Sequence, residues 1–271
     1  MKCTFCLLAG LLWSATVWAG ERHVLLASTT STENSGLFAW LLPAFEAQSG
    51  IAVRVVAVGT GAALEMGRRC DADVLLVHAP EAERAFVDAG FGLQRHEVMY
   101  NDHLLLGPPA DPAGVAGLGD VAQALRQIAA RQAVFISRGD DSGTHRTERA
   151  LWRAAGLDPA TASGSWYRES GAGMGATLNT ARAMGAYTLS DRGTWLGFGT
   201  RDGLREVLAG DARLFNPYGV IAVNPQRCPR VRAAEAARFV DWLRGPAGQA
   251  RIASFRIGGE PLFIPSAGAA P

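Results

Sequence analysis

One local pattern recurs through this sequence and restricts what it can become. Short apolar runs end in turns of serine, threonine and glycine, and a helix-like segment starts directly after each turn. Val24 to Ala27 leads into "STTSTENSGL" (Ser28 to Leu37), and Ala52 to Val58 leads into "GTGAAL" (Gly59 to Leu64). Ala133 to Ile136 leads into "SRGDDSGTH" (Ser137 to His145), and "ESGAGMGATL" (Glu169 to Leu178) opens a further helix. Strands alternating with helices predict an α/β class. A helix start exposes unpaired N–H groups and carries a partial positive charge. Glycine admits a ligand close to that backbone, and a hydroxyl adds a neutral donor. One such turn is explained as well by helix capping. Four of them converging make a pocket for a small anion.

The remaining elements follow the same alternation. Helices are predicted over Gly36–Ser49, Ala62–Arg69 and Glu81–Ala89, and strands over Val74–His78 and His103–Leu106. A second block reads helix Val121–Ala130, strand Ala133–Ile136 and helix Thr147–Ala155. It continues with helix Met174–Met184, strand Ala186–Leu189, helix Leu204–Ala209, strand Tyr218–Val223 and helix Ala233–Arg244. Two α/β blocks closed by a final strand and helix predict two lobes joined by two crossings. The crossings are expected near Leu106–Asp111, where Gly107-Pro108-Pro109 ends a strand, and near Leu214–Tyr218. Lobe I is then residues 20–107 with 215–271, and lobe II residues 108–214.

At 271 residues there is enough chain for two real cores. The 25 arginines and single lysine balance the acids to a net charge of +1, which excludes a polybasic surface for nucleic acid. The first 19 residues read as a signal peptide. Lys2 is the charged start, Phe5 to Trp18 the apolar stretch, and cleavage is expected after Ala19. The protein is therefore expected outside the cytoplasm, in the periplasm. Cys3 and Cys6 leave with the signal. Cys70 and Cys228 remain, as one disulfide or as two separate thiols.

Arg138 gives the third turn its charge. A guanidinium among N–H and hydroxyl donors suits an oxyanion, which it grips with paired hydrogen bonds. The bland alternative is an ion pair with Asp140 or Asp141. Enzyme readings are weaker. "DDSGTH" holds Ser, Asp and His, but adjacency in sequence is not triad geometry, and no G-x-S-x-G elbow exists. No phosphate-binding loop with its lysine is present, and the five histidines lack zinc-protease spacing. A secreted Ser-dependent hydrolase is the distant alternative, and neither a cofactor nor a metal is expected.

The stretches "ASTTSTENSGLFAWLLPAFEAQSG", "DADVLLVHAPEAE", "NDHLLLGPPADPAGV", "FISRGDDSGTH" and "GMGATLN" together resemble the periplasmic tungstate-binding proteins of ABC uptake systems. The likeness covers almost the whole chain after residue 19. It implies a two-lobed periplasmic-binding fold of type II, with tungstate, or the near-identical molybdate, closed in the cleft. It also implies a monomer that delivers its ion to a membrane permease. Carried over, the ligand donors fall on Thr29, Thr30 and Ser31, on Thr60, and on Arg138, Ser142, Gly143 and Thr144. Gly173 and Met174 would add backbone donors. Cys70 stands where the family tends to have glycine, and Cys228 has no counterpart; both being private slightly favours their pairing. The rival resemblance is to periplasmic phosphate-binding proteins, through Arg138-x-Asp140-x-Ser142-Gly143-Thr144. There an acidic acceptor receives the phosphate proton. A carboxylate facing a fully deprotonated dianion would repel it, so the direction of Asp140 separates the two anions.

Overall fold

The strand-turn-helix units assemble on one continuous sheet with parallel flanks and an antiparallel middle. The computed structural model describes residues 22–268. The expected signal peptide, its cleavage after Ala19, and Cys3 and Cys6 lie outside the described residues. In chain order the elements are β1 (His23–Thr29), α1 (Thr30–Asn34), α2 (Leu37–Ser49), β2 (Ala52–Val58), α3 (Thr60–Arg68), β3 (Val74–Val77), α4 (Pro80–Asp88) and β4 (Gly92–Gly107). Then come α5 (Val121–Ala130), β5 (Phe135–Ser137), α6 (Gly143–Ala154), β6 (Tyr167–Glu169), α7 (Met174–Met184), β7 (Tyr187–Asp191), α8 (Arg192–Gly197) and β8 (Arg205–Leu208). The chain continues with β9 (Phe215–Val223), α9 (Ala233–Arg244), α10 (Pro246–Ala253), β10 (Arg256–Ile257), β11 (Glu260–Pro261) and β12 (Ile264–Pro265).

The strand order is β2-β1-β3-β9-β4-β7-β5-β6, with β8 and β12 also on β4. β4 is the hinge of this arrangement. Its first part, through Asp102, pairs antiparallel with β9, and from His103 onward it pairs with β7. The first crossing therefore lies inside a continuous strand, earlier than the Gly-Pro-Pro stop suggests. A strand can exchange neighbours without ending, so no local breaker marks the place. The return crossing is at Leu214–Phe215, where β9 begins opposite Asp102.

Each half has its own apolar layers. α2 buries Leu37, Phe38, Leu41, Leu42 and Phe45, and α9 buries Ala236, Phe239, Val240 and Leu243, both on one face of the first sheet. These are the i, i+3, i+4 and i+7 spacings of a helix with one apolar stripe. α3 and α4 cover the opposite face through Leu64 and Phe86. In the second half α5 and α6 pack on one face around Trp152, and α7 on the other around Leu178. Gly219 on β9 has a packing reason to be glycine. A Cβ there would collide with the Glu83 carboxylate, which is fully buried against Arg95 at 2.7 Å.

The stretch Leu204–Ala209 is not a helix. Arg205–Leu208 is a strand paired with β4, with Val207 and Leu208 buried in the second core. A strand of four residues, two charged and two apolar, is too short to show a readable period, so tertiary pairing decides its form. Cys70 and Cys228 form a disulfide, with Cα atoms 5.3 Å apart. It ties the end of α3 to the turn that precedes α9.

Candidate functional site

β1 delivers Thr29 to the carboxyl edge of the first sheet, where α/β sheets present their ligand crevices. Thr29 keeps an extended backbone and caps α1, its Oγ1 accepting from Thr32 N–H at 3.3 Å. The same oxygen lies 3.0 Å from Ser31 Oγ and 3.2 Å from His78 Nε2. Thr29 is buried, while Thr30 and Ser31 are exposed. At the next edge position Gly59 caps α3 without a side chain. The amides of Thr60, Gly61 and Ala62 have no i−4 carbonyl to donate to, and the Thr60 hydroxyl stands beside them.

The turn Ser137–His145 is organised by its two aspartates. Asp140 Oδ2 takes Arg138 Nη2 at 2.5 Å, and its Oδ1 accepts from Ser142 N–H at 3.2 Å. Burial pushes the Asp140 carboxyl up, but the bonds from Ser142 and the Arg138 guanidinium outweigh it and hold the group below the ordinary carboxylate range. Asp141 adopts the left-handed conformation (φ 56°), which aspartate tolerates better than most residues. It donates its N–H to His145 Nδ1 at 3.0 Å and pairs with Arg146 at 2.7 Å. Ser142 then caps α6 by accepting from His145 N–H. The ion pair with Asp140 is thus real, but it uses only one nitrogen of Arg138. Its Nε is buried and has no hydrogen-bond partner.

These turns line one cleft of 1030 Å³. Eight of the ten residues singled out in the sequence face it: Thr29, Thr30, Ser31, Thr60, Arg138, Ser142, Gly143 and Thr144. Gly173 and Met174 are not among its lining residues. Gly173 caps α7 without a side-chain bond, and the Met174 side chain is buried in the second core. Asp140 does not line the cleft either, since both of its oxygens are spent inside its own turn.

The cleft floor was not visible in the motifs. It is built where β4 and β9 pass between the sheets, from Asn101, His103, Asn216 and Tyr218, with His78 at the end of β3. Burial lowers the proton affinity of both His78 and His103. Asp191 also lines the cleft, but Thr194 occupies its two oxygens through N–H (2.8 Å) and hydroxyl (2.7 Å). The one sequence signal for this floor is "LLVHAP", which places a histidine directly after an apolar strand. Among the described residues no group of three or more His, Cys, Asp or Glu side chains is placed to hold a metal ion. A tetraoxyanion occupies roughly 120 Å³, at about 30 Å³ per water-sized oxygen. The cleft is several times larger, so a single such ion does not fill it.

Residues 14–246 match the model of the PBP superfamily domain. The tungstate-binding protein TupA of Peptoclostridium acidaminophilum is 46% identical over 251 residues, which cover 91% of this chain and 87% of that one. A putative ABC transporter anion-binding protein of Haloferax volcanii is 45% identical over 253 residues, 91% of this chain and 72% of that one. Among solved structures, the tungstate-binding protein TupA from Desulfovibrio alaskensis G20 superposes with a TM-score of 0.87 at 48% identity, covering 91% of this chain and 99% of that one.

Proposed function

Because the chain belongs to the PBP superfamily, in the branch of the tungstate-binding proteins, we propose that it captures tungstate outside the cytoplasm and delivers it to an ABC transporter permease. Molybdate, nearly equal in size and charge, is the second ligand. The protein acts as a monomeric carrier in the periplasm and performs no chemistry on the ion. The two halves of the sheet, with their helices, serve as lobes, residues 20–107 with 215–271 and residues 108–214, with β4 shared at the handover.

The observation that carries this reading is the make-up of the cleft. Its turns offer hydroxyls and helix-start amides from both sides, plus Arg138 with N–H donors to spare; Arg146 and Asp141 also line it but pair with each other at 2.7 Å. Neutral donors and a planar cation suit an acceptor-only dianion. Asp140, folded into its own turn, presents no acceptor for the proton of hydrogen phosphate. Thr29, Thr30, Ser31, Thr60, Arg138, Ser142, Gly143 and Thr144 are the proposed ligands. The amides of Gly173 and Met174 are assigned to the closed form. A ligand that binds only the folded state raises the melting temperature. Melting of the purified protein with each anion in turn tests the reading. Tungstate and molybdate should raise the transition and sulfate and phosphate should not; a rise with phosphate alone would reverse the assignment.

A further inference from the structure

His78 stands at the end of β3 with its ring stacked on Tyr218, centroids 4.7 Å apart. Its two nitrogens face different partners. Nδ1 lies 3.2 Å from Asn216 Oδ1, and Asn216 Nδ2 donates to Asn101 Oδ1 at 2.8 Å. Asn216 therefore offers its oxygen, and Nδ1 carries the proton. In a neutral ring Nε2 is then a lone pair. It lies 3.2 Å from Thr29 Oγ1 and 3.3 Å from Ser31 Oγ; Thr29 Oγ1 is also 2.7 Å from Thr32 Oγ1, which leaves the exposed Ser31 hydroxyl the freer of the two to donate to it.

That donation conflicts with the proposed ligand. A hydroxyl has one proton, and a fully deprotonated oxyanion only accepts. Neutral His78 thus withholds one hydroxyl donor from the cleft. A protonated His78 turns Nε2 into a donor toward the hydroxyl oxygen. The hydroxyl proton is then free to point at the anion, and a positive charge is added nearby.

Resting on the oxyanion reading of the cleft, we propose that His78 is a positioning residue for Thr29 and Ser31 and takes up one proton as the anion enters. The proton comes from solvent and ends on Nε2; no bond to the anion forms or breaks. The groups facing His78 set the balance. Burial and the neighbouring His103 keep the empty site neutral, Asn216 and Asp191 pull the other way, and a bound dianion joins the latter side. Tyr218 supplies the stacked face and no charge of its own in this range. With affinity for the proton raised in the complex, binding strengthens as pH falls between the free and bound values.

Calorimetric titration with sodium tungstate, in buffers of different ionisation enthalpy between pH 6.5 and 8.5, counts the protons. The wild-type protein should take up between a half and one proton in part of this range. Its dissociation constant should fall with pH by up to about tenfold per unit, the limit for one proton. His78→Gln should bind tungstate with the uptake lost and the pH profile flat, while His96→Gln, outside the cleft, keeps the uptake. Nitrogen NMR of the histidine rings in the wild-type protein needs no variant, and should show one ring passing from neutral to protonated when tungstate is added at fixed pH. Tight binding with no proton uptake would overturn the proposal and leave the tungstate reading standing. Uptake that survives His78→Gln would overturn it too. Absence of tungstate binding in the wild type would refute the reading beneath it.

Discussion

Replacing Arg138 with alanine removes the cation assigned to the ligand. In the empty cleft its Nη2 is held by Asp140, while Nε is buried without a partner. Nε–H and the Nη1 and Nη2 N–H groups not taken by Asp140 are the donors left to grip an oxyanion. Hydrogen bonds to charged groups contribute about 1.5–3 kcal/mol each, so two of them amount to about 3–6 kcal/mol. Asp140 already neutralises the guanidinium, which weakens its longer-range attraction, and the lower half of that range is the better guide. Affinity for tungstate should fall by roughly two or more decades, since about 1.4 kcal/mol is tenfold. Part of the loss comes from the negative charge of Asp140, which lies beside the site and is no longer neutralised by Arg138. The double variant Arg138→Ala, Asp140→Asn removes that repulsion and should recover only part of the affinity. Arg138→Lys should rescue partly, because an ammonium lacks the planar fork. Tryptophan fluorescence titration measures each affinity, and melting without ligand checks the fold. An alanine variant that binds tungstate as the parent does would place Arg138 outside the site.

Other consequences are independent of that residue. Burial pushes the Glu148 carboxyl up from its ordinary 4.5 to about 7, where it bonds Trp152 at 3.1 Å and Tyr167 at 2.8 Å. The folded state then holds a proton that the unfolded chain releases, so this group's contribution to stability is fully present below pH 4.5 and lost as pH rises toward about 7. The loss is on the order of 3 kcal/mol. Glu148→Gln, which stays neutral, should flatten the melting profile over this window; an unchanged slope would contradict the burial argument. Removing the disulfide by Cys70→Ser with Cys228→Ser opens a loop spanning a separation of 158 residues and should cost about 2–5 kcal/mol in urea unfolding. The double variant should keep tungstate affinity, because neither cysteine lines the cleft. Tungstate should also shift the population toward a closed form, lowering the radius of gyration in small-angle scattering. Identical radii with and without tungstate would require a preformed closed pocket instead.

The walls of the site were legible because each is a local pattern. Thr29–Ser31, Thr60 and Ser142–Thr144 announce themselves as donor-rich turns between an apolar run and a helix, and the cleft gathers them. The floor was not legible, because nothing local marks it. Asn101, His103 and Asn216 matter through which strand each faces, and that pairing joins residues more than a hundred positions apart. The same reason hides the crossing inside β4 and turns Arg205–Leu208 into a strand. Asp140 was ambiguous from sequence, since its role depends on the direction of one side chain. The structure gives that direction: toward Arg138 and Ser142, away from the cleft.

As proposed, the cleft selects an acceptor-only dianion and holds one of them per chain. Calorimetric titration of the purified protein with tungstate, molybdate, sulfate and phosphate, at one pH and in one buffer, tests it directly. One tungstate should bind per chain, with molybdate similar or weaker and sulfate and phosphate far weaker. Phosphate binding as tight as tungstate would contradict it.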